Sequence, residues 1–84
     1  MTPNLEIVQY LILNQNRFKI QLQPYITQRD NLLKQDRLFS DEIKQQFKEL
    51  VSQIIVDDVT RNMGVSTEEI QVVLDDLNFD EYLQ

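Results

Sequence analysis

Apolar residues crowd the start of the chain. Projected at about 100° per residue, Ile7, Val8, Tyr10, Leu11, Ile12 and Leu13 go nearly all the way round a helix. A helix apolar on every side is buried on several sides, so this one is expected at the centre of a bundle or at a subunit interface. Thr2 and Pro3 predict its start, as N-cap and first helical residue, with Glu6 in the first turn. Asn14 to Asn16 weaken the pattern, and residues 17–22 are ambiguous. Phe18, Ile20 and Leu22 alternate as a strand does, while Leu11, Phe18 and Leu22 continue one helical face. Helix is favoured, because no second convincing strand exists to pair with. Pro24 predicts a break, with Gln23 pushed out of the α region. A new helix over residues 24–37 then buries Tyr25, Ile26, Leu32 and Leu33.

Ser40 reads as the N-cap of the best-patterned helix, residues 40–62, with Asp41 and Glu42 in its first turn. Ile43, Phe47, Leu50, Val51, Ile54 and Ile55 form one apolar stripe. Asp58 and Arg61 rotate onto that stripe. The helix therefore either kinks near Asp57 or pairs Asp57 and Asp58 with Arg61 on an exposed face, for only ~0.2–0.5 kcal/mol each. Gly64 is a natural helix stop, and Ser66 to Glu69, "STEE", is a capping box opening a last helix over residues 67–77. Ile70, Val73, Leu74 and Leu77 face inward there. The expected class is all-α: one domain, residues 1–84, a compact bundle of four to five helices with a helix-turn-helix-like corner at residues 57–77.

Composition narrows the chemistry. The 84 residues include no Cys and no His, so disulfides, the usual zinc ligands and the usual neutral-pH general base are absent. No metal or cofactor is expected. The N-terminal stretch lacks a basic leader region, and its apolar run falls far short of the ~20 residues that span a bilayer. A soluble, cytoplasmic protein with no membrane contact is expected. Charge is distributed unevenly. Residues 1–48 hold seven Lys or Arg against five Asp or Glu, whereas residues 49–84 hold one Arg against nine acidic residues.

That acidic half contains the chain's most suggestive motif, "VTRNMGVSTEEIQVVL" at residues 59–74. Val59 opens it, Gly64 sits at the turn, Val65 follows, and Ile70, Val73 and Leu74 fall on one face of the second helix. The segment resembles the core motif of the helix-turn-helix superfamily, departing from it at Thr60, where the family prefers Ala. The resemblance implies a tight helical corner and raises the possibility of DNA reading. A recognition helix presents its N-terminal and outward residues to bases and phosphates. Here those are Thr67, Glu68, Glu69, Gln71, Val72, Asp75 and Asp76. Four carboxylates and no cation would face a duplex carrying one charge per ~1.7 Å. The corner is expected; nucleic-acid binding is not.

The acidic doublets also invite a calcium reading, with Asp76, Asn78 and Asp80 at positions 1, 3 and 5 of a calcium loop. Glu81 stands where the loop requires Gly, which argues against it. No nucleophile–base pair accompanies the carboxylates, so no catalysis is expected. What remains is surface. Glu68, Val72, Asp75, Asp76, Phe79 and Tyr82 combine apolar side chains with an acidic rim, suited to a basic or amphipathic partner protein. Ile7, Tyr10, Leu11 and Leu13 are candidates for a homodimer interface, because a small bundle does not readily enclose a helix apolar on all sides. The function expected first is a non-catalytic acidic helical module acting by protein–protein contact, as an adaptor, inhibitor or regulatory subunit. A helix-turn-helix-derived transcriptional regulator contacting DNA through Arg17, Lys19, Arg29, Lys34 and Arg37 is the alternative, and an acidic DNA mimic a weaker one.

Overall fold

A computed structural model describes residues 3–84 and contains five α-helices with no strand among those residues. They are α1 (Leu5–Leu13), α2 (Gln15–Gln35), α3 (Ser40–Met63), α4 (Thr67–Asp75) and α5 (Phe79–Tyr82). A 3₁₀ turn, Arg37–Phe39, links α2 to α3. The all-α bundle is as the periodicity predicts, and residues 17–22 are helical.

Several helix boundaries differ from expectation for identifiable reasons. Thr2 lies outside the described residues. The N-cap of α1 is Asn4, whose side chain accepts a hydrogen bond from the Glu6 amide at 2.9 Å. Pro24 does not break the chain, and α2 runs through it. Proline leaves the Ile20 carbonyl without its amide partner, but Pro24 lies on the exposed face, where water can serve that carbonyl. Phe18 and Leu22 before it and Ile26 after it share one inward stripe, which holds the two halves in line. Ser40 is the first residue of α3 rather than its cap, because the preceding 3₁₀ turn leads straight into the helix.

The end of α3 follows the sequence closely. Gly64 adopts φ 69°, and its amide donates to the Thr60 carbonyl at 3.0 Å. The Ser66–Glu69 capping box is formed in both directions. An added Cβ at Gly64 would meet nothing within 4 Å, so only backbone strain opposes a side chain there. Gly64→Ala is expected to destabilise the protein by about 1–2 kcal/mol, and Gly64→Asn by less, since Asn tolerates the left-handed region. Urea denaturation of the two variants measures the difference.

The core occupies one end of the molecule. Ile7 and Leu11 of α1, Phe18 and Leu22 of α2, and Val51, Ile55 and Val59 of α3 pack there with Ile70, Val73 and Leu74 of α4. Phe79, Tyr82 and Leu83 close the C-terminal side. Between residues 23 and 46 no side chain is buried. That stretch is the second half of α2, the turn and the start of α3, an antiparallel hairpin reaching beyond the core. Its reach shows in the dimensions, 39 × 26 × 19 Å, and in a radius of gyration of 13.5 Å. A compact chain of this length has about 12 Å. Tyr25, Leu32 and Leu50, expected inside, are therefore exposed, and Leu33 is only half-buried. Helical phase assigned them to apolar faces; Tyr25, Leu32 and Leu50 are left uncovered, and Leu33 is only flanked by Phe79 and Leu83.

Candidate functional site

Two groups of residues draw attention: a polar cluster joining α1, α2 and α3, and an apolar cleft along the hairpin. In the cluster, Asp58 lies on the inner face of α3 and is the one buried charged residue among those described. Its carboxylate receives a fork from Arg17 of α2, Nη1 to Oδ2 at 2.9 Å and Nη2 to Oδ1 at 3.0 Å. The Tyr10 hydroxyl of α1 donates to Oδ1 at 2.6 Å, and Asn62 Nδ2, one turn along α3, reaches the same oxygen at 3.3 Å. The Arg17 guanidinium holds the Asp58 carboxyl below its ordinary pKa, outweighing the opposing effect of burial. Burial and the Asp58 hydrogen bond together raise the Tyr10 phenol.

Every buried polar side-chain atom among the described residues has a partner. The cluster therefore ties three helices together and presents no unsatisfied group to a ligand. It replaces the pairing with Arg61 expected for α3. The helix continues through Asp57 as one element, and Asp58 pairs with Arg17 across helices instead of with Arg61 along its own. Arg61 is exposed, and Asp57 accepts from Gln53 at 2.9 Å.

The cleft is built from two matched stripes. Tyr25, Gln28, Arg29 and Leu32 of α2 and Ile43, Gln46, Phe47 and Leu50 of α3 line a space of about 140 Å³. Both sets have i, i+3, i+4, i+7 spacing, which keeps each on one helical face. Arg29 is fixed beside Phe47, with its guanidinium carbon 4.3 Å from the ring centroid. It is also held by Asp80 of α5 at 2.8 Å and by Asp30 at 3.0 Å. Beyond the cleft, in the turn, Phe39 is 54% and Leu38 92% exposed. Sequence reading took Tyr25, Leu32, Ile43, Phe47 and Leu50 of these stripes for core.

The residues proposed from sequence as a partner-binding set separate into two groups. Glu68, Asp75 and Asp76 are exposed on α4, and Val72 is half-buried beside them. Phe79 and Tyr82 are buried, which removes them from any docking surface. Tyr82 covers the chain's own core: its hydroxyl donates to the Leu11 carbonyl, and its carbonyl accepts from Gln15 Nε2 at 2.9 Å. Burial raises its phenol to about 12.

The proposed dimer residues separate likewise. Ile7 and Leu11 are enclosed by α2, α3 and α4 and are unavailable to a second chain, and Tyr10 is half-buried in the polar cluster. Leu13 remains exposed, as do Ile12 and Leu5. The first helix is thus two-sided, with one face in the core and one in solvent.

Asn78 and Asp80, weighed above as calcium ligands, have structural partners. Asn78 caps α5 through the Glu81 amide at 3.2 Å, and Asp80 binds Arg29. Among the described residues no group of three or more His, Cys, Asp or Glu is arranged to hold a metal ion, and no helix is long and apolar enough to cross a membrane. Comparison with protein-family models, curated proteins and solved structures finds no match to this chain.

Proposed function

We propose that this chain is a non-catalytic helical module that acts through protein–protein contact. The observation that supports this reading is the uncovered hairpin. Tyr25, Leu32 and Leu50 stand exposed around one cleft of the hairpin, with Leu38 and Phe39 exposed at its tip, and grouped apolar surface of this kind marks interaction sites in folded proteins. A second accessible surface is the outer side of α4. Glu68, Glu69, Asp75 and Asp76 carry no cationic partner there among the described residues, a field that favours approach of a basic or amphipathic protein.

The nucleic-acid reading receives less support. Of the five basic residues that would contact DNA in place of α4, Arg17 is engaged by Asp58 and Arg29 by Asp30 and Asp80. Lys19, Lys34 and Arg37 remain, too few to offset the acidic C-terminal half against a polyanion. Random-sequence duplex DNA is therefore expected to give no anisotropy change at micromolar protein and moderate salt. Micromolar binding with a steep salt dependence would favour the regulator reading instead.

A direct test of protein contact places a photoreactive amino acid at Leu38, on the arm, and at Val72, on α4. Irradiation in nuclease-treated lysate of the native host is expected to yield a discrete protein adduct from at least one position. Absence of any protein adduct at both positions would overturn the reading.

A further inference from the structure

We infer that the apolar face of the α2–α3 hairpin is occupied by a second copy of this chain, the two arms packing face to face about a two-fold axis. This rests on the protein-contact reading above and names the occupant of one of its surfaces. Three observations converge on it.

Shape is the first. Two helices side by side, each presenting an i, i+3, i+4, i+7 stripe with a cleft between them, are one layer of a four-helix arrangement. Leu32 and Leu50, each 42% exposed, stand on opposite sides of that cleft. An identical layer laid across it sets apolar side chains of one copy into the cleft of the other, which is how helical layers pack. The contact is self-complementary, as a two-fold interface requires.

Area is the second. The chain has 5876 Å² of accessible surface, where a compact monomer of its 10.0 kDa mass has about 5,200 Å². The excess of roughly 600–700 Å², counted over the whole molecule and including the bare hairpin, is of the order of the ~800 Å² that each partner contributes to a standard interface.

Charge selects the partner. Residues 25–50 carry five Lys or Arg and five Asp or Glu, so the arm has no net charge, and the whole −6 lies on the rest of the chain. A basic protein would be drawn to the acidic body and gains nothing electrostatically from the arm. Two copies of an acidic chain repel through their bodies and meet at least cost through neutral, mixed-sign arms.

Sedimentation equilibrium of the full chain over a hundredfold concentration range is the test, with three exposed-site variants whose fold is checked by far-UV circular dichroism. The wild type is expected to shift from 10.0 kDa toward twice that mass. Leu32→Glu and Leu50→Glu are expected to raise the dimer Kd at least about tenfold with helicity unchanged. Leu13→Glu, on the exposed face of α1, is expected to leave it unaltered. Raising salt from about 0.05 to 0.5 M should not weaken the dimer, since the meeting surfaces are neutral and the bodies repel. A wild type monomeric throughout would overturn the inference, as would a dimer broken by Leu13→Glu but not by Leu32→Glu. Neither result touches the protein-contact reading, which stands or falls on the photo-crosslinking experiment.

Discussion

Phe18→Ala is expected to destabilise the protein by about 3–5 kcal/mol, the largest loss of any single truncation considered. Phe18 is fully buried and is the bulkiest side chain so enclosed. It lies where α2 passes through the core at the populated end of the molecule. Removing the ring leaves a cavity that four helices cannot close without shifting, so the lost transfer free energy and the cavity add. A chain of this length has a total stability of roughly 4–13 kcal/mol, and the variant would be substantially unfolded toward the lower end of that range. Ile55→Ala, also fully buried, is expected to cost about 2–5 kcal/mol. Leu38→Ala on the arm should stay within about 0.5 kcal/mol for the monomer. Urea denaturation at a single low protein concentration separates the three. A Leu38→Ala loss as large as that of Phe18→Ala would mean the arm is packed in the folded monomer, contrary to its exposure.

Asp58→Ala is expected to cost about 2–3 kcal/mol. Truncating one member of a buried pair costs ~3–5 kcal/mol when the other charge is left without water. Here Arg17 keeps 43% of its side chain in solvent and can rehydrate, which places the loss below that range. What is lost besides the ion pair is the common acceptor for Tyr10 and Asn62, and with it the polar tie between α1, α2 and α3. Tyr10→Phe removes the hydroxyl that donates to Asp58 and accepts from Arg17 and Asn62 and should cost about 1–2 kcal/mol. The two losses are expected to be less than additive, since both act on one network.

The same groups set the pH dependence. The Asp58 pKa is lowered in the folded protein, so the folded state holds the proton less tightly than the unfolded chain. Its contribution is present above the ordinary carboxyl value of 3.8 and is lost as pH falls through the folded value. Tyr82 is raised from 10.0 to about 12, and its contribution is present below pH 10 and lost as pH rises toward 12. Thermal denaturation should show a stability plateau between these limits. In Asp58→Ala the acid limb should flatten while the alkaline limb persists.

Much of the fold was legible because it depends on neighbours in sequence. Gly64 stops α3 since its backbone is left-handed there, and Ser66 with Glu69 starts α4 since both partners lie within one turn. Phe47, Val51 and Ile55 read as a buried face from spacing alone, as do Ile70, Val73 and Leu74, and all six are buried. The acidic surface of α4 was equally legible: Glu68, Asp75 and Asp76 are exposed as the phase of that helix requires. Pro24 misled because its local penalty was weighed without the stripe that keeps α2 continuous.

The candidate sites were less legible. Arg17 and Asp58 are 41 residues apart, and the nearest cation in sequence, Arg61, is the wrong partner. A signal was present in the placement of Asp58 on the apolar stripe of α3. A carboxylate on an inner face needs a cation from another element, because burying it alone is prohibitive. Tyr82 and Phe79 looked like docking residues because their carboxylate neighbours are hydrophilic, yet a short C-terminal helix buries both, Tyr82 against Leu11.

The sequence by itself determined which faces of the helices are apolar, where α3 ends and α4 begins, and that the C-terminal half is acidic. These follow from helical period, backbone conformation and composition, all of which act over one or two turns. Only the tertiary structure decided which apolar faces are covered. Ile7 and Leu11 are enclosed while Leu13 is not, and Phe18 is core while Leu32 on the same helix is surface. An apolar stripe records a preference to leave water, and that preference is satisfied by whatever chain comes to lie over it. The other three helices gather at one end and leave most of the α2–α3 hairpin bare, so the distinction between core and interface rests on their arrangement in space, which no local pattern encodes.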